Sequence, residues 1–176
     1  SFAPIDLPLY HNECKAWEVF RKNSTIGLFI GDYFARPSKR SGAWCSAFQS
    51  QAKFPTVQKP IVLNVCNFAK SSPTLLSFDD AQTLFHEFGH ALHQLLSNVT
   101  YEPLSGTSVS RDFVELPSQL FEHWLTVPDV LKKFALHYET KIPISDELIE
   151  RIKGASNYDM GYQTVEYTSS ALVDLY

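Results

Sequence analysis

The stretch at residues 77–99, SFDDAQTLFHEFGHALHQLLSNV, decides the fold because its apolar residues recur at helical spacing. These apolar positions are Ala81, Leu84, Phe85, Phe88, Ala91, Leu92, Leu95 and Leu96. Ser77, with Asp80 three residues later, has the pattern of a capping box. Asp79 adds a second negative charge in the first turn, where the helix dipole favours it. The pattern predicts the strongest helix of the chain.

This helix contains an HExxH motif at residues 86–90. His86 and His90 are four residues apart, so both imidazoles lie on one helix face about 6 Å apart along the axis. Such a pair suits Zn²⁺, which in catalytic sites keeps its fourth position for water. Glu87 is placed to take a proton from that water and pass it to a leaving amine. The motif predicts a zinc site; the competing interpretation is a helical scaffold with a chance HExxH and no metal.

A third ligand has to come from another segment. His93 lies on nearly the same helix face as His86, but at about 1.5 Å of rise per residue the two are roughly 10 Å apart, too far to share one ion. We therefore interpret His93 as a histidine that supports a ligand or lies at the surface. The remaining candidates are carboxylates that follow the helix: Glu102, Asp112, Glu115 and Glu122.

Glu115 is favoured among these carboxylates because it opens a helical run that can pack antiparallel to the HExxH helix. Asp112 and Glu115 also have the spacing of a capping box, in which Glu115 would only bind a backbone amide. Pro117 argues against that alternative, because a helix that begins at Asp112 would need a kink there. Glu122 is on the same face as Glu115 and could accept a hydrogen bond from a liganding histidine. Spacing alone leaves these alternatives open.

The segments around this helix predict an α+β fold. Strand-like runs precede it, at residues 16–20, 26–34 and 60–68, with a further short strand at 42–48. Helical stretches follow it, at residues 112–126, 128–139, 145–156 and 155–176. We expect one domain over residues 1–176, with a small antiparallel or mixed sheet within about 1–70 and helices within 77–176.

Composition and charge exclude several functional classes. The chain has 176 residues and a net charge of −4, from 15 Lys and Arg against 19 Asp and Glu, which argues against nucleic-acid or anionic-membrane binding. No apolar run approaches the roughly 20 residues of a membrane span. The N-terminus lacks the layout of a signal peptide. The cysteines Cys14, Cys45 and Cys66 are odd in number and form no CxxC, so we expect a reducing, cytoplasmic location.

Longer strings around the motif resemble one known family. TLFHEFGHALHQLLS and YEPLSGTSVSRDFVELPSQLFEHW are similar to the thimet oligopeptidase family of zinc peptidases, and within it to the bacterial peptidyl-dipeptidase Dcp and oligopeptidase A branch. The similarity extends upstream through GLFIGDYFARPSKRSGAW and PIVLNVCNF and downstream through ASNYDMGYQTVEYTSSALVDL. The phrases GDYFAR, RDFVE and EHW are more typical of the peptidyl-dipeptidase branch than of mammalian endopeptidases. The resemblance implies a mainly helical, zincin-like catalytic core that acts on short peptides.

The resemblance also implies a ligand set. In that family the zinc ligands are the two histidines of HExxH and the glutamate of the segment that reads FVELPSQ here, which correspond to His86, His90 and Glu115. Glu87 corresponds to the general base. One Zn²⁺ per chain is therefore expected.

Two glycine-containing segments resemble parts of the family that border a peptide substrate. In SGAW, Gly42 and Ala43 would let a substrate backbone pair with an exposed strand edge. LSGT, with Gly106, resembles a flexible glycine loop beside the active site. The alternative for each is an ordinary turn.

The chain is expected to be a piece of a longer peptidase. Its only methionine is Met160, and its last helix has no closing Gly, Pro or basic turn. In the family, His and Tyr residues that stabilise the oxyanion follow the equivalent of Tyr176, whereas Tyr162 and Tyr167 are expected to pack in a core. The chain would therefore either hydrolyse short peptides, or bind zinc and peptide with weak catalysis because those residues are missing. The expected partners are short peptides and the remainder of the parent polypeptide.

Overall fold

A five-stranded sheet occupies the first part of the chain in the computed structural model, which describes residues 1–155 and 157–175. Its strands are β1 (Phe2–Ile5), β2 (Lys15–Arg21), β3 (Ser24–Phe34), β4 (Trp44–Gln49) and β5 (Ile61–Phe68). The strand order is β1-β2-β3-β5-β4, with β3 and β5 parallel and the other neighbours antiparallel. The four predicted strands are confirmed, the sheet is mixed, and β4 lies at one edge.

The sequence pattern does not predict β1, which lies at the other edge. Pro4 is inside this strand. Proline donates no backbone hydrogen bond and is confined to edge strands. β1 pairs with β2 alone among the strands of this sheet, with Phe2 opposite Val19, so the proline is tolerated there.

The predicted helix over the HExxH motif is confirmed as α1 (Phe78–Leu95). The N–H of Asp80 donates to Ser77 Oγ at 3.0 Å, and the N–H of Ser77 donates to Asp80 Oδ2 at 3.1 Å. These two hydrogen bonds form the predicted capping box. They fix where α1 begins and therefore the register of the motif along it.

Both faces of the sheet carry a buried cluster along its central strands. α1 packs on one face through a buried cluster formed by Val19, Phe29, Val62, Ala91 and Leu95. The other face carries a cluster of Cys14, Ala16, Ile30, Leu63 and Val65, against which Leu7 and Leu9 pack. Since β5 contributes side chains to both clusters, it is the buried centre on which α1 rests. The α+β class is confirmed.

The helical stretch predicted at 112–126 is broken. The structure has α2 (Arg111–Val114) and α3 (Leu116–Glu122), with 3₁₀ turns at Glu102–Leu104 and His123–Thr126. Pro117 lies in the first turn of α3 and cannot donate within a continuous helix. The predicted kink is therefore present, at Glu115.

Contacts divide the chain into two compact units, Ser1–Leu125 and Thr126–Tyr176. The second contains α4 (Pro128–Phe134), α5 (Asp146–Ala155) and α6 (Met160–Leu175). The helix predicted at 128–139 is too long. After Phe134 the chain turns back, Leu136 forms a bridge with Pro143, and Lys141 has φ of 59°. The prediction of one domain over 1–176 stays a prediction.

The prediction that Tyr162 and Tyr167 pack in a core is wrong for this chain. Their exposed fractions are 69% and 80%, and no residue of α6 that the structure describes is buried. The reason is that, within Thr126–Tyr176, no described segment covers this helix on any face. Across residues 1–155 and 157–175, none of the helices combines the length and the apolar character that crossing a membrane requires.

Candidate metal centre

α1 brings the two histidines of the motif together. The His86 and His90 side chains are 27% and 12% exposed, and their Nε2 atoms are 3.1 Å apart. Their rings meet edge to face, with centroids 4.8 Å apart. The four-residue spacing therefore has the predicted effect.

The break between α2 and α3 places Glu115. This residue joins the two helices, and Ser118 Oγ lies 2.8 Å from its backbone O and 3.0 Å from its Oε2. The capping-box alternative is wrong, because α2 begins at Arg111 after Ser110 and Glu115 lies at its other end. The kink directs the Glu115 carboxylate to the histidines.

α3 can approach α1 because residue 89 is glycine. A Cβ on Gly89 would lie 2.6 Å from Ser118 Cα and 2.8 Å from Pro117 O. Beside this contact, the rings of Phe85 and Phe121 stack with centroids 5.3 Å apart. The close approach lets α3 carry acidic side chains to the histidine face of α1.

Three ligand-type atoms converge at this point. Glu115 Oε2 lies 3.2 Å from His86 Nε2 and 3.1 Å from His90 Nε2. With the 3.1 Å between the two nitrogens, they form a nearly equilateral triangle. Ligands about 2.0–2.1 Å from a tetrahedral zinc are about 3.3 Å from one another, so the triangle fits such an ion. Among the described residues, these three form the cluster able to hold a metal ion.

Glu122 supports one of these histidines. His86 Nδ1 donates to Glu122 Oε1 at 2.5 Å, and Gln82 Nε2 donates to Glu122 Oε2 at 2.7 Å. In a neutral imidazole this arrangement leaves Nε2 unprotonated and facing the triangle. His90 differs: its buried Nδ1 has no hydrogen-bond partner in the part of the chain that the structure describes. Burial lowers the pKa of His90, which favours the neutral form that a metal ligand needs.

The other predicted candidates lie outside the cluster. Glu102 is in a 3₁₀ turn and Asp112 is in α2, and neither belongs to the group of converging ligand atoms. His93 contacts the Phe113 ring, with centroids 6.2 Å apart. Its position agrees with the prediction that it is not a ligand.

Glu87 is buried beside the triangle, with 7% of its surface exposed. Burial raises the pKa of its carboxyl; the charge of Glu115 adds to the rise, while His86 opposes it. Burial and the charge of Glu87 in turn raise the pKa of the Cys45 thiol to about 12. Cys45 is therefore a neutral thiol, and its Sγ accepts a hydrogen bond from Gln94 Nε2 at 3.1 Å.

Two open cavities flank the cluster and share Ala43, His86 and Glu87. One, of about 480 Å³, is lined also by Asp79, Gln82, Thr83 and Glu122. The other, of about 390 Å³, is lined also by Trp44, Cys45, His90, Thr107, Val114 and Glu115. The predicted proximity of the SGAW segment to the histidine helix thus holds for Ala43. Gly42, one residue earlier, has φ of 91° and its carbonyl is bound by Asn67.

Gly106 is packed against α1. It is buried, its φ is 56°, and its N–H donates to Ser97 Oγ at 3.0 Å. A Cβ there would lie 2.9 Å from Gln94 Cγ. The adjacent Thr107 lines the second cavity, so this loop borders the cluster through Thr107 and is anchored through Gly106.

Sequence reasoning does not single out three residues near the cluster. Gln82 bonds Glu122, while Cys45 and Thr107 line the second cavity. Gln82 had a detectable signal, since it precedes His86 by one helical turn on the same face. Cys45 and Thr107 had none, because only the tertiary fold brings β4 and the loop after α1 together.

The family model described as Peptidase family M3 matches residues 3–176. The dipeptidyl carboxypeptidase of Escherichia coli (strain K12) is 45% identical over 175 residues, which cover 97% of this chain and 26% of that protein. Oligopeptidase A of Salmonella typhimurium is 39% identical over 160 residues, 87% of this chain and 24% of that protein. The chain thus spans about a quarter of the length of these curated relatives. The predicted resemblance is confirmed: the chain belongs to Peptidase family M3.

Proposed function

We propose that this chain is the zinc-binding catalytic part of a metallopeptidase of the peptidyl-dipeptidase or oligopeptidase type, which hydrolyses peptide bonds in short peptides. The observation that carries the proposal is the 3.1–3.2 Å triangle of His86, His90 and Glu115 with Glu87 buried beside it. Membership of the peptidase family and the names of the relatives support the reaction class.

His86, His90 and Glu115 would hold the zinc ion. Two imidazole nitrogens and one carboxylate oxygen are a donor set that Zn²⁺ accepts in catalytic sites. When bound, zinc polarises a carbonyl oxygen and makes water more acidic. Glu122 keeps His86 in the tautomer whose Nε2 lone pair is available.

Glu87 is the proposed general base. Its carboxylate takes a proton from the attacking water as the water oxygen bonds to the scissile carbonyl carbon. It then delivers that proton to the amine nitrogen as the carbon–nitrogen bond breaks, which returns Glu87 to its starting state. The raised pKa of Glu87 brings it nearer to neutral pH, where a group that both accepts and releases a proton works best.

The edge strand β4 is the proposed binding surface for the peptide. Trp44, its first residue, and the preceding Ala43 line the cavity that contains His86 and Glu87. An extended peptide can add to such an edge through backbone hydrogen bonds. A short, unfolded substrate exposes the continuous backbone that this mode of binding requires.

Metal content tests the ligand assignment. Elemental analysis of the purified chain is expected to give about one zinc per chain, as for a single catalytic site. The double variant His86→Ala/His90→Ala should lose it, whereas His123→Ala/His137→Ala removes two histidines outside the cluster and should retain it. A parent chain that binds no zinc would exclude the proposal and favour the chance-motif interpretation.

Turnover tests the role of Glu87. In the longer peptidase, Glu87→Gln should keep zinc and reduce hydrolysis of a fluorogenic short peptide by about 100- to 10,000-fold. Glu166→Gln, in the exposed helix α6, is the matched control and should leave the rate unchanged. A Glu87→Gln enzyme with wild-type turnover would remove Glu87 from the mechanism.

Catalysis by the isolated chain is a separate question, because the chain spans about a quarter of the length of its relatives. The alternative function, zinc and peptide binding with weak catalysis, predicts that the longer peptidase is faster by 100-fold or more for each missing oxyanion donor. Equal rates for the two would contradict this alternative. The cytoplasmic location stays a prediction.

A further inference from the structure

The loop between β3 and β4, residues 35–43, is fastened to the end of β5. The N–H of Ala35 donates to Phe68 O at 3.0 Å, and Lys39 Nζ donates to Cys66 O. Asn67, between those two acceptors, binds the loop through its side chain. Three consecutive residues of one buried strand therefore hold one loop.

The first half of this loop is held by charge. Lys39, with 4% of its side chain exposed, donates to Asp32 Oδ1 at 3.0 Å and to Phe34 O at 2.9 Å. Arg36 donates to both carboxylate oxygens of Asp32, at 2.7 and 2.8 Å. Asp32 is 1% exposed, so these are short ion pairs away from water. These ion pairs hold residues 36–39, whereas residues 40–42 are held by hydrogen bonds from Asn67.

Asn67 holds the second half. Its Nδ2 donates to Arg40 O at 2.8 Å and to Gly42 O at 2.7 Å. Only the amide NH₂ can donate twice, so the two carbonyl acceptors fix the orientation of this side chain. Gly42 has φ of 91°, a conformation that side-chain-bearing residues rarely adopt. The two hydrogen bonds hold a backbone that would otherwise be free to relax.

Ala43 follows Gly42 and lies beside the metal cluster. Ala43 lines both cavities with His86 and Glu87, and β4 begins one residue later. The Gly42 carbonyl accepts from Asn67 and so points toward β5. Backbone pairing with a substrate is therefore left to Ala43 and the residues after it.

We propose that Asn67 is a positioning residue for peptide binding: its amide clamps Arg40 and Gly42 so that Ala43 is preformed as the wall beside Glu87. This inference rests on the proposed peptidase function. Asn67 is not part of the metal cluster. Its effect is therefore on β4, the proposed peptide-binding strand, and not on zinc binding. A preformed wall lowers the conformational cost of binding an extended peptide.

Hydrogen exchange tests the clamp without reference to activity. Asn67→Asp keeps the size of the side chain and removes both donors, and Asn67→Ala removes the side chain. Either should increase amide exchange at residues 44–46, whose backbone pairs with β5, by roughly 10-fold, the effect of losing two neutral hydrogen bonds. Residues 86–92 should be unchanged, as should the control Asn98→Asp, an exposed asparagine. Unchanged exchange at residues 44–46 in both variants would overturn the clamp. Fast exchange at 44–46 in the wild type would also overturn it, and this measurement decides the question if the variants do not fold.

Kinetics test the link to substrate. In the longer peptidase, both Asn67 variants should raise KM for a fluorogenic short peptide by about 10-fold, with kcat and zinc affinity within about 2-fold of the wild type. A lower kcat with unchanged KM, or a parallel loss of zinc, would refute the positioning role. If the wild-type peptidase hydrolyses no peptide, the proposed function is wrong, and so is the role of Asn67 in substrate binding. The hydrogen-exchange measurement still tests whether Asn67 holds the loop.

Discussion

The helices α1 and α6 have similar lengths, 18 and 16 residues, and opposite surroundings. α1 rests on the sheet and is crossed by α3, and its buried residues include Glu87, Gly89 and Leu95. Of the residues described in α6, none is buried. Tertiary packing, more than propensity, stabilises helices in proteins. Among the residues that the structure describes, the side chains that converge at the candidate metal centre are therefore held by the packing around α1.

The largest expected effect comes from the sheet beneath α1. Asp32→Asn removes the buried counter-charge of Arg36 and Lys39, which should lower the free energy of unfolding by about 3–5 kcal/mol at pH 7. Denaturant unfolding measures this. Asp174→Asn in α6 is the control and should change it by less than about 0.5 kcal/mol. Equal losses for the two variants would erase the difference between the regions.

The same residue sets a pH dependence. Burial alone would raise the pKa of Asp32, but hydrogen bonds from Arg36 and Lys39 outweigh it and hold the pKa well below its usual range. A depressed pKa contributes stability above the unfolded value of about 3.9 and loses it as pH falls toward the folded value. The wild type should therefore lose stability below about pH 4 more steeply than Asp32→Asn. Parallel acid limbs for the two proteins would contradict this assignment.

The next effect compares two leucines. Leu95 in α1 is 2% exposed, and Leu172 in α6 is 52% exposed. Leu95→Ala should lower the free energy of unfolding by about 2–5 kcal/mol, through lost burial and a cavity. Leu172→Ala should change it by less than about 1 kcal/mol. A Leu172→Ala variant as damaging as Leu95→Ala would show that α6 is packed.

Replacing Gly89 and Gly161 with alanine should change the stability of the chain in opposite directions. Gly89→Ala places a methyl group 2.6 Å from Ser118 Cα, which should destabilise the chain by about 1–3 kcal/mol and weaken zinc binding as α3 moves Glu115 away. Gly161→Ala in α6 meets no atom within 4 Å, so it should stabilise by about 0.5–1 kcal/mol through helix propensity. Thermal unfolding and zinc titration measure both. Gly89→Ala with wild-type stability and zinc affinity would refute the close approach.

The smallest effect is expected at Tyr167 in α6. Tyr167 is 80% exposed, so Tyr167→Ala should alter the free energy of unfolding by less than about 0.5 kcal/mol. Denaturant unfolding of the isolated chain again gives the value. A loss above about 1.5 kcal/mol would restore the core role expected from sequence.

Local patterns predict α1, its cap and four strands, because each depends on residues close together in the chain. Glu115 could only be ranked among four carboxylates, since its role depends on how α3 crosses α1 at Gly89. The family resemblance supplied that assignment, and the triangle of ligand atoms agrees with it. Tyr167 was predicted wrongly for a related reason. The spacing of apolar residues along a helix can predict a face that packs, but it does not show which segment covers that face.

X-ray absorption spectroscopy at the zinc edge, on the zinc-loaded chain, reports the proposed metal ligands directly. We expect a first shell of nitrogen and oxygen at about 2.0–2.1 Å with the outer-shell scattering of two imidazoles. Removing Glu115 by Glu115→Ala should change that shell, whereas Glu102→Ala should not. A sulfur shell at about 2.3 Å, which Cys45 in the same cavity could supply, would contradict the ligand set of His86, His90 and Glu115.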